Sequence, residues 1–274
     1  MHYLPSPEQT RRMTTEELRN SFLVPDLFQP GAATLRFVEL DRVVLGGIVP
    51  VDGALRLDAP PEMAAEFFLE RREAGILNVG GAGRVTADGT EYAMAARDGL
   101  YLGRGTREVT FASDDPSAPA KFYLVSYPAH ASYPAAHVPE SEANLTELGT
   151  VEQANRRRLR KYFHPDGVPT AQLVMGVTEL QAGSVWNTMP AHTHARRTEV
   201  YLYFDVPADA VVFHMMGEPT ETRHLVMRDA EVALSPGWSI HSGCGTRSYT
   251  FCWAMGGENQ VFADMQGVAM EDLR

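Results

Sequence analysis

Over most of the chain, apolar residues come in short runs separated by glycine, proline and aspartate. Leu35-Arg36-Phe37-Val38-Glu39-Leu40, Val43-Val44-Leu45, Gly75-Ile76-Leu77-Asn78-Val79, Tyr101-Leu102 and Lys121-Phe122-Tyr123-Leu124-Val125 have the length and side-chain type of strands. Asp52-Gly53 and Asp88-Gly89 supply turn chemistry between such runs. From Leu35 to about Tyr127 this spacing predicts an antiparallel all-β barrel or sandwich. The period turns helical only near the N-terminus. There Thr14 and Glu17 form a capping box, Leu18, Phe22 and Leu23 line one face, and Pro25 is expected to end the helix. Residues 1–30 therefore read as an arm, packed on the barrel or on a neighbouring subunit.

The β pattern resumes from about Gln172 to Asp264 and faintly repeats the first half. Arg71-Arg72 stands 125 residues before Arg196-Arg197, and Arg97-Asp98 stands 131 before Arg228-Asp229. The layout read from this is an arm (1–30), a first barrel (31–130), a linker (131–154) rich in proline, alanine, serine and glutamate, and a second barrel (155–274). The basic run Asn155-Arg156-Arg157-Arg158-Leu159-Arg160-Lys161 can be helix or strand by periodicity. It can equally be a solvated face or an anion-binding edge. Gly80-Gly81-Ala82-Gly83 lacks the Lys-Ser/Thr and the helix that make a phosphate loop work, so it reads as a β-turn.

Composition narrows the classes further. At 274 residues and 44% hydrophobic, the chain can bury one large core or two ordinary ones. A net charge of −11 argues against a nucleic-acid or anionic-membrane surface. An anionic small molecule would then need a local basic pocket. No apolar run approaches membrane-spanning length and no signal peptide opens the sequence, so a cytoplasmic location is expected. Two cysteines, Cys244 and Cys252, make no disulfide framework.

The candidate chemistry lies in the second half. His192 and His194 alternate on one face of an extended segment, and Glu199 follows after a short arginine-rich turn. Pro236-Gly237-Trp238-Ser239-Ile240-His241 offers a turn and a short strand to bring in a fourth ligand, His241, with Cys244 as a lower-ranked rival. Imidazoles with a carboxylate suit zinc, iron, manganese or nickel, and the residues alone do not choose. His-x-His, the following Glu and the later Pro-Gly-x-x-x-His together resemble the two metal motifs of cupins. On the repeat offsets, His192, His194, Glu199 and His241 fall against Phe67, Leu69, Ala74 and Val109 in the first half, which predicts one metal per chain.

Tyr201 and Tyr203 share parity with Glu199 and are expected to face the same cavity. Arg196, Arg197, Arg223 and Lys161 are the nearest cations in sequence, each a candidate for a substrate carboxylate or an ordinary surface ion pair. Glu258, after the strand Tyr249-Thr250-Phe251-Cys252-Trp253, is a candidate base, and Tyr201 a second proton-transfer group. His214 and His224 read as structural histidines.

Longer stretches carry a narrower resemblance. Gln172-Leu173-Val174-Met175-Gly176, Gly183-Ser184-Val185-Trp186-Asn187-Thr188-Met189-Pro190, Glu221-Thr222-Arg223-His224, Trp238-Ser239-Ile240-His241-Ser242-Gly243 and Gly257-Glu258-Asn259-Gln260 are similar to the 5-dehydro-4-deoxy-D-glucuronate isomerase family of the cupin superfamily. The resemblance implies a double-barrel (bicupin) fold, one zinc ion per chain held by His192, His194, Glu199 and His241, and a homohexamer. It also implies a small sugar-acid substrate from pectin or other polyuronate breakdown, isomerised from aldose to ketose. Three alternatives remain open at this point: the 5-deoxy-glucuronate isomerase of inositol breakdown, an iron-dependent cupin dioxygenase, and a non-catalytic sugar-acid-binding cupin.

Overall fold

A computed structural model describes all residues, 1–274. The chain divides into two compact units. One comprises Met1–His2, Asp26–Ala143 and Tyr162–Met175; the other comprises Tyr3–Pro25, Asn144–Lys161 and Gly176–Arg274.

In the first unit, a six-stranded antiparallel sheet runs Ala136–Val138, Gly99–Leu102, Arg72–Asn78, Phe122–Pro128, Val44–Ile48, Ala33–Phe37. A four-stranded sheet runs Leu55–Arg56, Val109–Ser113, Gly83–Ala87, Thr90–Met94. Asp88 (φ 46°) and Gly89 (φ 81°) join its last two strands, both in the left-handed region that a two-residue hairpin turn demands. Side chains from both sheets meet in one apolar core. Phe111 and Phe122 touch with ring centroids 5.2 Å apart, and Leu69, Ala74, Val85, Leu102 and Val109 pack around them. Each fully buried side chain of this size contributes roughly 1.5–3 kcal/mol.

The second unit repeats the plan. Its large sheet runs Leu23–Val24, Glu231–Ser235, Arg197–Phe204, Thr250–Gly257, Val174–Leu180, Arg157–Phe163, Asn144–Leu148. Its four-stranded sheet runs Trp186–Asn187, Ser242–Gly245, Val212–Glu218, Glu221–Met227, and a short ribbon pairs His192–Thr193 with Gln266–Gly267. The all-β expectation holds. The sheets remain open rather than closing into barrels, because each strand order begins and ends on a different strand.

Three local readings change. The helix is Thr15–Phe22, capped as expected by Thr14 and Glu17, but it ends three residues before Pro25. Leu23 and Val24 pair instead with Ala233 and Val232, so sheet hydrogen bonding ends the helix before proline can. A second capped turn, Pro7–Thr10, precedes it. The basic run resolves as the strand Arg157–Phe163, and the segment expected as a linker contributes Ala136–Val138 and Asn144–Leu148 to two different sheets. Gly80–Gly83 is a turn as expected: the Asn78 amide donates to the Gly81 carbonyl, and a Cβ at Gly81 would strike the Ala118 carbonyl oxygen.

Candidate metal centre

The second unit's large sheet places the carboxylate. Glu199 is the third residue of Arg197–Phe204, flanked across the sheet by Ser235 and Met255. His192 sits on the short ribbon, and His194 follows immediately after it. A turn at Ala195-Arg196 reverses the chain into the Glu199 strand. His241 arrives from the other sheet. The Ser239 N–H donates to the Pro236 carbonyl at 2.8 Å, closing the predicted Pro-Gly turn one step before the strand Ser242–Gly245.

These four side chains converge. One ligand atom from each lies within 4.8 Å of all the others. The His241 and His192 Nε2 atoms are 3.0 Å apart, a Glu199 oxygen is 3.0 Å from His241 Nε2, and the same oxygen is 3.4 Å from His194 Nε2. Donors around a single ion at about 2.0–2.2 Å stand roughly 3–4 Å from one another, so the spacing fits one metal. Cys244, the rival ligand, lies outside the group, half-buried opposite Trp186.

A backbone carbonyl fixes the tautomer of one of these histidines. His194 Nδ1 donates to the Asp264 carbonyl at 2.7 Å, which leaves Nε2 as the lone-pair donor facing the centre. The Arg197 guanidinium donates to the same carbonyl at 2.9 Å, so its 3.3 Å approach to His194 Nδ1 is two donors sharing one acceptor. Ser235 Oγ stands 3.3 Å from His241 Nδ1, within hydrogen-bond reach of that ring. Burial would by itself raise the Glu199 carboxyl. The neighbouring His241 and His194, whose ring nitrogens face the carboxylate, outweigh it and hold the group ionised, well below the usual carboxylate range. Burial lowers His192 to about 3, so its imidazole is neutral at neutral pH, as a ligand must be. Imidazole nitrogens with an ionised carboxylate are a donor set for a divalent ion.

A cavity of about 290 Å³ opens onto three of the four donors. His192, His194 and Glu199 form one part of its lining, with Tyr201 beside them and Trp253 and Phe251 on the apolar wall. Thr188 and the cis Met189-Pro190 peptide cover another side, Thr188 in the left-handed region at φ 50°, a strained position for a β-branched residue. The Tyr201 hydroxyl lies 3.4 Å from Thr188 Oγ1, and burial followed by the Glu199 charge pushes its phenol well above the usual value. Tyr203 shares the parity but lies deeper, its hydroxyl 2.8 Å from His214 Nδ1.

The other predicted residues scatter. Arg196 and Glu258 lie outside the cavity lining and pair with each other at 3.4 Å, both largely exposed. Arg223 is occupied on the Glu221–Met227 strand by Glu221 and by the Arg11 carbonyl. Arg197 is buried behind His194 as described. Lys161 lies over the ring of Phe262, which does line the cavity. His224 is exposed; His214 is fully buried. Sequence reading missed Ser235, the Asp264 carbonyl and Arg157. Only Arg157 left a signal, inside the basic run. A backbone carbonyl leaves none.

The geometry now stands beside known proteins. The family described as KduI/IolB matches residues 46–270. The chain belongs to the KduI/IolB family. A 4-deoxy-L-threo-5-hexosulose-uronate ketol-isomerase of Lachnoclostridium phytofermentans is 52% identical over 270 residues, covering 98% of each chain. One of Kineococcus radiotolerans is 53% identical over 275 residues, covering 99% of each. Among solved structures, an IolB-like protein from Salmonella typhimurium LT2 matches with a TM-score of 0.73 at 13% identity, over 90% of this chain and 96% of that one. An oxalate decarboxylase of Lactobacillus farciminis matches at 0.58 and 11%, over 90% and 89%. At such identities the likeness is one of fold, and it is the double jelly roll expected for a bicupin.

Proposed function

We propose that this member of the KduI/IolB family is an intramolecular oxidoreductase of the aldose–ketose type. It converts 4-deoxy-L-threo-5-hexosulose uronate into 3-deoxy-D-glycero-2,5-hexodiulosonate, with one zinc per chain held by His192, His194, Glu199 and His241. The observation that carries the reading is the coincidence of full-length relatives of that name at about half identity with a four-donor set, three of whose members line a cavity.

The reaction moves a proton from the hydroxyl-bearing C2 to the aldehyde carbon C1, and negative charge develops on the two oxygens between. A divalent ion at the four donors would supply electrophilic stabilisation of that charge. The chain's own residues do the rest. His194 is held in the required tautomer by the Asp264 carbonyl, and Ser235 Oγ stands against the His241 ring. Tyr201, kept protonated by burial, is placed to donate a hydrogen bond to a substrate oxygen in the cavity. Trp253 and Phe251 exclude water from the apolar side. Tyr201 is favoured over Glu258 in proton handling because Tyr201 lines the cavity and Glu258 points to solvent.

A role in pectin or polyuronate breakdown, a cytoplasmic location and a homohexameric assembly complete the reading. No helix is long and apolar enough to cross a membrane, which is compatible with that location. The family name also covers IolB, but the relatives near half identity carry the hexosulose-uronate activity, whereas the IolB-like structure stands at 13%.

The test is direct. Purified, metal-analysed protein is given the hexosulose uronate and the 2,5-diketo acid is followed by NMR. Product from the parent and none from a metal-depleted His192→Ala variant is the expected result. Bound metal without product would overturn the substrate assignment, and turnover of 5-deoxy-glucuronate would replace it.

A further inference from the structure

The basic strand offers a carboxylate site that the motif-adjacent cations do not. Side chains of Arg157–Phe163 alternate between two faces. Arg158 and Arg160 fall on one face and are neutralised there by Glu147 at 3.4 Å and Glu179 at 3.3 Å. Arg157 and Leu159 fall on the other and line the metal-centre cavity. Arg157 is the one lysine or arginine in that lining. Its Nη1 donates to the Asn155 carbonyl at 2.9 Å, a contact that pins one tip of the guanidinium and leaves Nε and Nη2 available. It has no acidic partner, in an acidic protein where Arg158, Arg160, Arg196, Arg223 and Arg247 all have one. Burial lowers the guanidinium, and nearby Tyr201 and Tyr249 act in the opposite direction. Arginine nonetheless remains charged at neutral pH.

A half-buried cation without a counter-ion, in the same cavity as a metal-donor set, calls for an anionic ligand group. We propose that Arg157 binds the substrate's carboxylate and thereby directs the far end of the molecule to the four-donor centre. This rests on the isomerase reading for the substrate's identity. In a six-carbon uronate the carboxylate is C6 and the reacting carbons are C1 and C2, so one anchor at each end sets the orientation. The planar fork matches a carboxylate in two parallel hydrogen bonds, which a lysine cannot reproduce. Arg157 is on this account a specificity-determining residue, and it takes no part in proton transfer.

The experiment compares Arg157→Gln, Arg157→Lys and, as control on the opposite face, Arg158→Gln, each with its metal content measured. Kinetics on the hexosulose uronate give one readout. Quenching of tryptophan fluorescence by D-glucuronate against D-glucose, with Trp253 the tryptophan on the cavity wall, gives a second that needs no turnover. Arg157→Gln should raise KM at least tenfold with a smaller change in kcat, keep its metal, and lose the preference for glucuronate. Arg157→Lys should fall between, and it keeps the test intact if the glutamine variant does not fold. Arg158→Gln should match the parent. A parental KM and a parental acid preference in Arg157→Gln would overturn the assignment, as would a parent protein that does not distinguish the two sugars. A parent that prefers the acid through Arg157 yet turns over no hexosulose uronate would sustain the carboxylate site and sink the isomerase reading.

Discussion

Each unit buries a glutamate on the third strand of its large sheet, and the two solve the same problem in opposite ways. In the first unit Glu73 is fully buried and saturated by protein donors. The Tyr101 hydroxyl reaches it at 2.8 Å, and the backbone amides of Ala171, Gln172 and Leu173 at 2.6, 2.8 and 2.9 Å. In the second, Glu199 faces the Nε2 atoms of His194 and His241, whose Nδ1 atoms turn outward to the Asp264 carbonyl and to Ser235 Oγ. Glu73 is therefore satisfied by protein donors alone, whereas Glu199 stands in a donor set that could hold a cation. The strand position that holds Glu199 corresponds in the first unit to Ala74, third in its strand and likewise between two neighbouring strands. Around Ala74 the interior is filled by Leu69, Leu102, Phe111 and Phe122. One jelly roll has a core where the other has a site.

The largest effect expected from breaking this contrast is on the cation side. Glu199→Gln or His241→Ala should lose bound metal, and turnover should drop at least ~10³-fold with it. Metal analysis of the parent should give one equivalent per chain. A value near two would mean that the first unit has a site its apolar interior does not suggest.

Next comes the saturated carboxylate. Glu73→Gln keeps the shape but reverses part of the hydrogen-bond polarity, leaving amide donors of residues 171–173 facing an NH₂ group. The expected cost is about 2–4 kcal/mol in urea denaturation, with metal content unchanged under folding conditions. Loss of metal without loss of stability would show that Glu73 acts on the site rather than on the fold.

A smaller effect is written in pH. His214 is fully buried and lowered to about 3, first by burial and then by His241. Between that value and its ordinary 6.5, the unfolded chain takes up a proton there that the native state refuses. Its stabilisation is thus present above about pH 6.5 and is lost as pH falls toward 3. From pH 7 to pH 5 the loss at this residue should be about 2 kcal/mol. His214→Gln should shrink the pH dependence of the urea midpoint by that amount. An unchanged dependence would place the acid-sensitive charge elsewhere.

How much of this was legible before folding follows from which interactions are local. The four donors were readable because their spacing is itself chemical: His-x-His needs only strand alternation, and Pro-Gly before His241 needs only a turn. The capping box at Thr14 was readable for the same reason, whereas the helix end was not. Leu23 and Val24 obey a pairing with Val232 and Ala233, two hundred residues away. Cation roles were the least legible. Proximity in sequence favoured Arg196 and Arg223, yet ion pairs with Glu258 and Glu221 engage them. Arg157 was hidden in a run whose two faces separate only once the segment is known to be a strand.

The smallest effect sharpens the same comparison from outside the cavity. Arg196 and Glu258 are joined at 3.4 Å with side chains 64% and 69% exposed, so water and salt screen the pair. Such a pair adds little to stability, and Glu258 lies outside the cavity that Tyr201 and Trp253 line. Glu258→Gln should therefore keep kcat and KM within about twofold of the parent and retain full metal. A loss of kcat alone, with metal and KM unchanged, would mean that the loop after Thr250–Gly257 carries its carboxylate into the cavity during turnover. Proton transfer would then belong to Glu258 and not to the wall of the jelly roll.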